Sequence, residues 1–162
     1  MRAESLSLDF LDIVEADVPE LTTVMTRAFD AEAQRHLGVE RGGPEGYDDG
    51  EFFRKWLFGY RESVGYKIVS GGQLIGAFIL WIRRGGHYRL GTIFVDPAHQ
   101  DRGVGTRAWQ FIEATYPEAR TWRLETPVWA TKNHHFYENK CGFQRAGSSP
   151  DGDSVIYKKR IW

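Results

Sequence analysis

The stretch Gln100-Asp101-Arg102-Gly103-Val104-Gly105 constrains this chain more than any other. It follows the apolar run 90–95 and the break Asp96-Pro97, and it opens a segment of helical periodicity. A strand, a glycine turn and a helix N-terminus in succession form a cradle for phosphate. Unpaired N–H groups point outward there, and the helix dipole places partial positive charge beside them. Glycine at 103 and 105 lets a pyrophosphate approach the backbone without meeting a Cβ.

Length and charge narrow the class. The 162 residues suit one compact domain, 1–162, with a sizeable core. A formal net charge of −1 gives no reason to expect nucleic acid or a membrane surface as partner. No apolar run approaches the roughly 20 residues of a spanning helix. The start, Met1-Arg2-Ala3-Glu4-Ser5, carries acid and lacks the apolar stretch of a signal peptide. The expectation is a soluble cytoplasmic protein. Cys141 is the only cysteine, so neither an internal disulfide nor a cysteine cluster for zinc can form.

Hydrophobic periodicity predicts a first strand over 5–14, then a helix opened by Asp17 as N-cap with Glu20 three positions on. Val18, Leu21, Val24, Met25, Ala28 and Phe29 share one face of it. Residues 38–50 hold five glycines and a proline and read as a mobile loop, followed by a short helix over 51–60. Three strands, 66–70, 73–82 and 87–95, are separated by Gly71-Gly72 and Gly85-Gly86, as two-residue hairpin turns would separate them. The helix after the glycine turn should bury Val104, Ala108, Phe111, Ile112 and Thr115 and end before Pro117. A strand over 121–126, a helix over 133–140 stopped by Gly142, and a hairpin of 143–147 with 154–161 complete the chain.

The cradle has look-alikes. A Walker loop is excluded because no Gly-Lys-Ser/Thr follows the turn. A dinucleotide fingerprint is better mimicked, since Ala108 stands at its third small position and Glu125 lies about twenty residues on. That fold needs parallel β-α-β units, however, and here three hairpin-linked strands precede the turn. A purely structural glycine turn remains open from these residues alone.

A second motif decides the matter. Asn133-His134-His135-Phe136-Tyr137-Glu138-Asn139-Lys140-Cys141-Gly142-Phe143 follows the next strand. Together the two motifs closely resemble the GNAT superfamily of acyl-CoA-dependent N-acyltransferases. Gln100, Gly103 and Gly105 match its Gln/Arg-x-x-Gly-x-Gly/Ala signature. Asn133, Phe136-Tyr137 and Gly142-Phe143 match its second element, in the right order across about 66–143.

The resemblance implies an α/β (α+β) fold, with a mixed, mostly antiparallel sheet splayed into a V and flanked by helices. Acetyl-CoA would lie between the fourth and fifth strands as cosubstrate, with no metal. Backbone N–H groups of Gln100, Asp101, Arg102, Gly103, Val104, Gly105 and Thr106 would hold its pyrophosphate. The exposed backbone of Ile93, Phe94 and Val95 would pair with the pantetheine arm, and one N–H there would polarise the thioester carbonyl. Arg102 and Arg107 would add charge near the phosphates or stand as solvated helix arginines.

The implied reaction is direct attack of an uncharged primary amine on the thioester through a tetrahedral intermediate. Tyr137 sits where the family often protonates the departing thiolate; a phenol of pKa about 10 is acid enough to share that proton. Its alternative is a core tyrosine. Asn133 would bond the pantetheine arm or cap its helix. Relatives often place a glutamate on the fourth strand, but 87–95 has no carboxylate, which makes Glu125 the candidate base or a salt-bridge partner. His134 and His135 could take the proton too, though paired helix histidines usually face solvent. Cys141 replaces a family leucine and should be buried and inert.

The acceptor would be a small-molecule amine or a peptide N-terminus. Glu40, Glu45, Asp48, Asp49 and Glu51 among Tyr47, Phe52, Phe53, Trp56 and Tyr60 would suit a cationic amine with an apolar body, or would merely keep a loop solvated over a core. A homodimer is a family habit. Two other readings stand beside the enzyme: a non-catalytic acyl-CoA sensor, and a transferase acting on tRNA-bound aminoacyl groups, which near-neutral charge disfavours.

Overall fold

A computed structural model describes residues 7–161. Ser5 and Leu6 of the expected first strand, and the terminal Trp162, lie outside the described residues. Strand β1 is Asp9–Asp12, and a 3₁₀ turn, Glu15–Asp17, leads into helix α1, Val18–Leu37. Asp17 precedes α1 but does not cap it with its side chain. Its carboxylate turns back to accept the Val14 N–H at 2.8 Å and the Lys67 ammonium at 2.8 Å. Gly38, at φ 68°, ends the helix in the left-handed conformation that a Cβ disfavours.

The loop 38–50 is tied down. Asp30 of α1 accepts the Tyr47 hydroxyl at 2.6 Å and the Gly42 N–H at 3.1 Å. Arg41 bonds Asp48 at 2.8 Å and lies 3.6 Å from Asp30. Helix α2, Glu51–Phe53, continues as a π-helical turn through Arg54–Phe58. Phe52, Phe53 and Leu57 are buried there.

Strands β2 (Ser63–Ser70), β3 (Gln73–Trp81) and β4 (His87–Val95) form the expected antiparallel meander. Gly71-Gly72 is a two-residue turn with both glycines left-handed. Gly85-Gly86 is not: it closes the longer link 82–86, which includes a 3₁₀ turn. Helix α3 (Val104–Thr115) precedes β5 (Thr121–Pro127). Helix α4 (Thr131–His135) runs on as a π-helical turn over Phe136–Lys140. Strands β6 (Gln144–Ser148) and β7 (Ser154–Arg160) close the chain. The seven strands are ordered β1-β2-β3-β4-β5-β7-β6, and only β4 and β5 are parallel.

Two cores sandwich this sheet. On one face α3 and α4 pack Trp109, Ile112 and Tyr137 against Phe78, Trp122, Leu124 and Tyr157. On the other, α1 and α2 pack Leu21, Met25 and Phe53 against Ala77, Ile79 and Phe94. No described residue of β5, β6 or β7 belongs to this second core, so that half of the sheet keeps one face outside it. Within α3 the buried set is Val104, Ala108, Trp109 and Ile112. Thr115, expected inside, is exposed and donates its hydroxyl to the Phe111 carbonyl at 2.7 Å.

The sheet splits where the site lies. Parallel pairing of β4 with β5 covers only His87, Tyr88 and Arg89 against Thr121, Trp122 and Arg123. Just beyond, the register of β3 on β4 jumps from Ile79↔Thr92 to Leu80↔Leu90, leaving Gly91 as a bulge. A bulge bends a strand and sharpens its twist, which turns the rest of β4 away from β5. Residues 90–95 thus keep β3 on one side and an unpaired backbone edge on the other. No described helix is long and apolar enough to cross a membrane.

Candidate active site

The split opens a cleft of about 500 Å³. It is bounded by the free edge of β4 at Ile93, Phe94 and Val95, by the turn and first residues of α3, and by α4 with its π-helical extension. α1 closes it from the opposite face through Ala28, Phe29 and Glu32. The motif residues Gln100, Asp101, Gly103, Val104, Gly105, Thr106, Asn133 and Tyr137 all line this one space. Arg102 is exposed outside that lining.

Backbone geometry makes the cradle. Asp101 and Gly103 are left-handed, at φ 62° and 78°, which turns the chain sharply into α3. The first bond of the helix runs from the Arg107 N–H to the Gly103 carbonyl at 3.0 Å. The N–H groups of Val104, Gly105 and Thr106 precede it and have no partner within the helix. A Cβ on Gly103 would meet nothing within 4 Å, so open space faces the turn. These features fit a pyrophosphate, which needs clustered N–H donors and room to approach them. Gly105 has a different task from the one expected. A Cβ there would come within 3.0 Å of the Phe136 ring, so its bareness lets α4 pack on α3.

Side chains brace the turn. Gln100 donates its amide to the Val95 carbonyl at 3.0 Å and accepts from Lys132 at 3.1 Å. Lys132 also lies 3.3 Å from Asp101. Asp96, at the end of β4, accepts the Ala98 N–H at 3.0 Å and pairs with Arg27 of α1. Burial pushes its carboxyl up, but those two donors outweigh burial and hold it below the ordinary range. Asn133 reaches Thr126 on β5 at 3.4 Å.

Tyr137 sits at the wall between cleft and core, packed against Phe136, Phe143 and Tyr157. Its hydroxyl makes no hydrogen bond to a described residue. Burial raises its pKa well above that of a free phenol, with Cys141 adding to the effect. The group therefore stays protonated across the neutral range, as a proton donor must.

Glu125 lies outside the cleft lining. It projects from β5 on the α1 side of the sheet, 3.3 Å from Arg123 and 3.7 Å from Arg89. Of the paired histidines, His135 is exposed at the cleft, whereas His134 is buried with Nε2 2.9 Å from the Pro127 carbonyl. Packing of α4 on β5 inverts the surface expectation for His134.

Sequence reasoning missed Ala28, Phe29, Glu32, His99, Lys132 and Lys140 as lining residues. The α1 positions carried a signal, since 28 and 32 are one helical turn apart, but it was indistinguishable from a core stripe. Glu32 lies 3.1 Å from His36, whose ring sits 5.8 Å from Trp129 in the link after β5. The His36–Trp129 contact joins α1 to the link after β5.

Cys141 is buried, and burial raises its thiol to about 12. A thiol ionises near 8.5 in an unfolded chain. An acid with a raised folded pKa contributes stability fully below its unfolded value and loses it as pH rises towards the folded one. Stability should therefore fall above about pH 8.5, less steeply in Cys141→Ala, as urea titrations at several pH values would report. Iodoacetamide at about pH 8 should label the unfolded chain and leave the native one unmodified. Rapid native labelling would overturn the assignment.

Comparison with known proteins agrees with this architecture. A model of the acetyltransferase (GNAT) family matches residues 22–143. The uncharacterized protein YrkN of Bacillus subtilis (strain 168) is 32% identical over 130 residues, 80% of this chain and 69% of that protein. An acetyltransferase from Thermus thermophilus superposes with a TM-score of 0.80 at 17% identity, covering 98% of this chain and 99% of its own. The PaiA N-acetyltransferase of Thermoplasma acidophilum, crystallised with coenzyme A, gives 0.75 at 16% identity, over 95% and 99%. At such identities these two structures establish the fold. With the family match over most of its length, this chain belongs to the acetyltransferase (GNAT) family.

Proposed function

We propose that this chain moves an acetyl group from acetyl-CoA to a primary amine, on a small molecule or a peptide N-terminus. The observation that carries the reading is one continuous cleft joining the helix-α3 cradle, the unpaired edge of β4 and Tyr137. When bound, acetyl-CoA supplies an activated thioester. The N–H groups of the turn and of Val104, Gly105 and Thr106 would hold its phosphates. The free edge of Ile93–Val95 would align its arm and place an N–H where negative charge develops on oxygen.

Tyr137 would give its proton to the departing sulfur. The acceptor arrives as an ammonium and must lose a proton before it attacks. Glu125 is assigned to hold that ammonium and take the proton, on the side of the sheet away from α3. Because Glu125 does not line the cleft, the step would need a water to relay the proton.

Thermal unfolding with acetyl-CoA, CoA and NAD side by side tests the cosubstrate. Ligand at a hundred times its Kd should add about 2.7 kcal/mol, a shift of several degrees for a domain this size. Stabilisation by both CoA species and not by NAD is expected. No shift with either CoA species would end the enzyme reading. Stabilisation without thiol release across a broad amine panel would leave a CoA-binding domain.

A further inference from the structure

Arg89 is half-buried, and its Nε is buried without a hydrogen-bond partner. Its side chain is only 27% exposed and makes no hydrogen bond to any described residue. The guanidinium lies over the Trp81 ring, 5.0 Å from its centroid. Its one ion pair, with Glu125, is loose at 3.7 Å. Arg123, paired with it in the last rung of the β4–β5 ladder, brings a second guanidinium to the same carboxylate. Arg83, which also faces Trp81, adds a third cation and is itself paired with Glu62 at 3.3 Å. Burial lowers the pKa of Arg89, Glu125 raises it, and Arg123 and Arg83 lower it again.

This cluster marks the point where β4 and β5 part, on the sheet face that α3 does not cover. Its three guanidiniums outnumber the two carboxylates paired with them, Glu125 and Glu62, so it suits a further anion. In the acidic loop, Asp48 is paired with Arg41 and Glu51 with Arg54. We propose that the acceptor is an amino acid or closely similar α-amino carboxylate, its carboxylate held by Arg89 and Arg123 and its amine by Glu125. Two cations flanking one carboxylate complement a zwitterion whose charges sit on adjacent carbons. Guanidiniums bind carboxylates in a two-pronged fork, and such charge-assisted bonds are strong. Tyr60, whose ring is 5.4 Å from Trp81, adds an aromatic ring beside the site, against which an apolar side chain would pack.

The proposal rests on the acetyltransferase reading, so the test separates the two. Thiol release from acetyl-CoA is followed with the twenty amino acids, their amides and their decarboxylated amines, for example phenylalanine, phenylalanine amide and phenethylamine. For the preferred side chain the free acid should exceed its amide and amine by at least about tenfold in kcat/KM. Arg89→Gln should raise KM for the acid by a similar factor and abolish that preference. Arg89→Lys, which keeps the charge without the fork, should fall between. In both variants CoA should still raise the unfolding temperature, which verifies that they fold. Equal use of acid, amide and amine would overturn the proposal, as would an unchanged KM in Arg89→Gln. So would stabilisation by CoA with no amino acid accepted, whereas loss of CoA stabilisation in the unmodified protein would fell the acetyltransferase reading itself.

Discussion

Tyr137→Phe is expected to lower kcat about 100-fold or more while leaving folding stability within about 0.5 kcal/mol of the parent. The two halves of this expectation come from one fact. The Tyr137 hydroxyl bonds to no described residue, so removing it breaks nothing that holds the fold together. The ring keeps its contacts with Phe136, Phe143 and Tyr157. What disappears is the proton for the leaving sulfur, and general-acid assistance of this kind is worth about 10²–10⁴-fold. Single-turnover release of thiol, measured beside a urea titration, separates the effects. Unchanged turnover with unchanged stability would make Tyr137 a core residue. Parallel loss of both would make it a structural one.

Much of this site is legible in sequence because its binding groups are backbone. A cradle needs only a strand end, a left-handed glycine and a helix start, and all three leave marks in composition and periodicity at 90–115. The second motif is legible for the same reason: Gly142, at φ 79°, has to end the π-helical turn that carries Tyr137. Side-chain partnerships across the sheet leave no such mark. Nothing in the local sequence of Arg89, Arg123 or Glu125 says that a three-residue parallel ladder will gather them. The pairing stops where it does because of the bulge at Gly91, a register effect between β3 and β4.

Gly105 illustrates the opposite error. Both glycines of the turn read as openings for phosphate, yet only Gly103 faces space, while Gly105 faces an aromatic ring. A sequence reports that a Cβ is excluded, not what excludes it. Asp17 is similar, since its spacing to Glu20 suits a cap, but the preceding 3₁₀ turn claims its carboxylate first.

Gly103→Ala turns that distinction into a measurement. The added methyl meets nothing of the protein within 4 Å, so it creates no internal clash. Its cost to folding is the left-handed φ of 78° alone, about 1–2 kcal/mol for an L-residue. The same methyl enters the open space beside the turn that leads into α3. If a pyrophosphate occupies that space, CoA affinity should drop by about 10–100-fold, equal to about 1.4–2.7 kcal/mol. Gly105→Ala is the internal control. Its methyl presses on Phe136 at 3.0 Å, so its main cost should fall on stability rather than on CoA. Calorimetric titration of CoA into the parent and both variants, with unfolding curves for each, gives the binding cost and the folding cost side by side. A Gly103→Ala protein that is destabilised as expected but binds CoA like the parent would mean that the phosphates lie elsewhere. The left-handed glycine would then serve only to start α3.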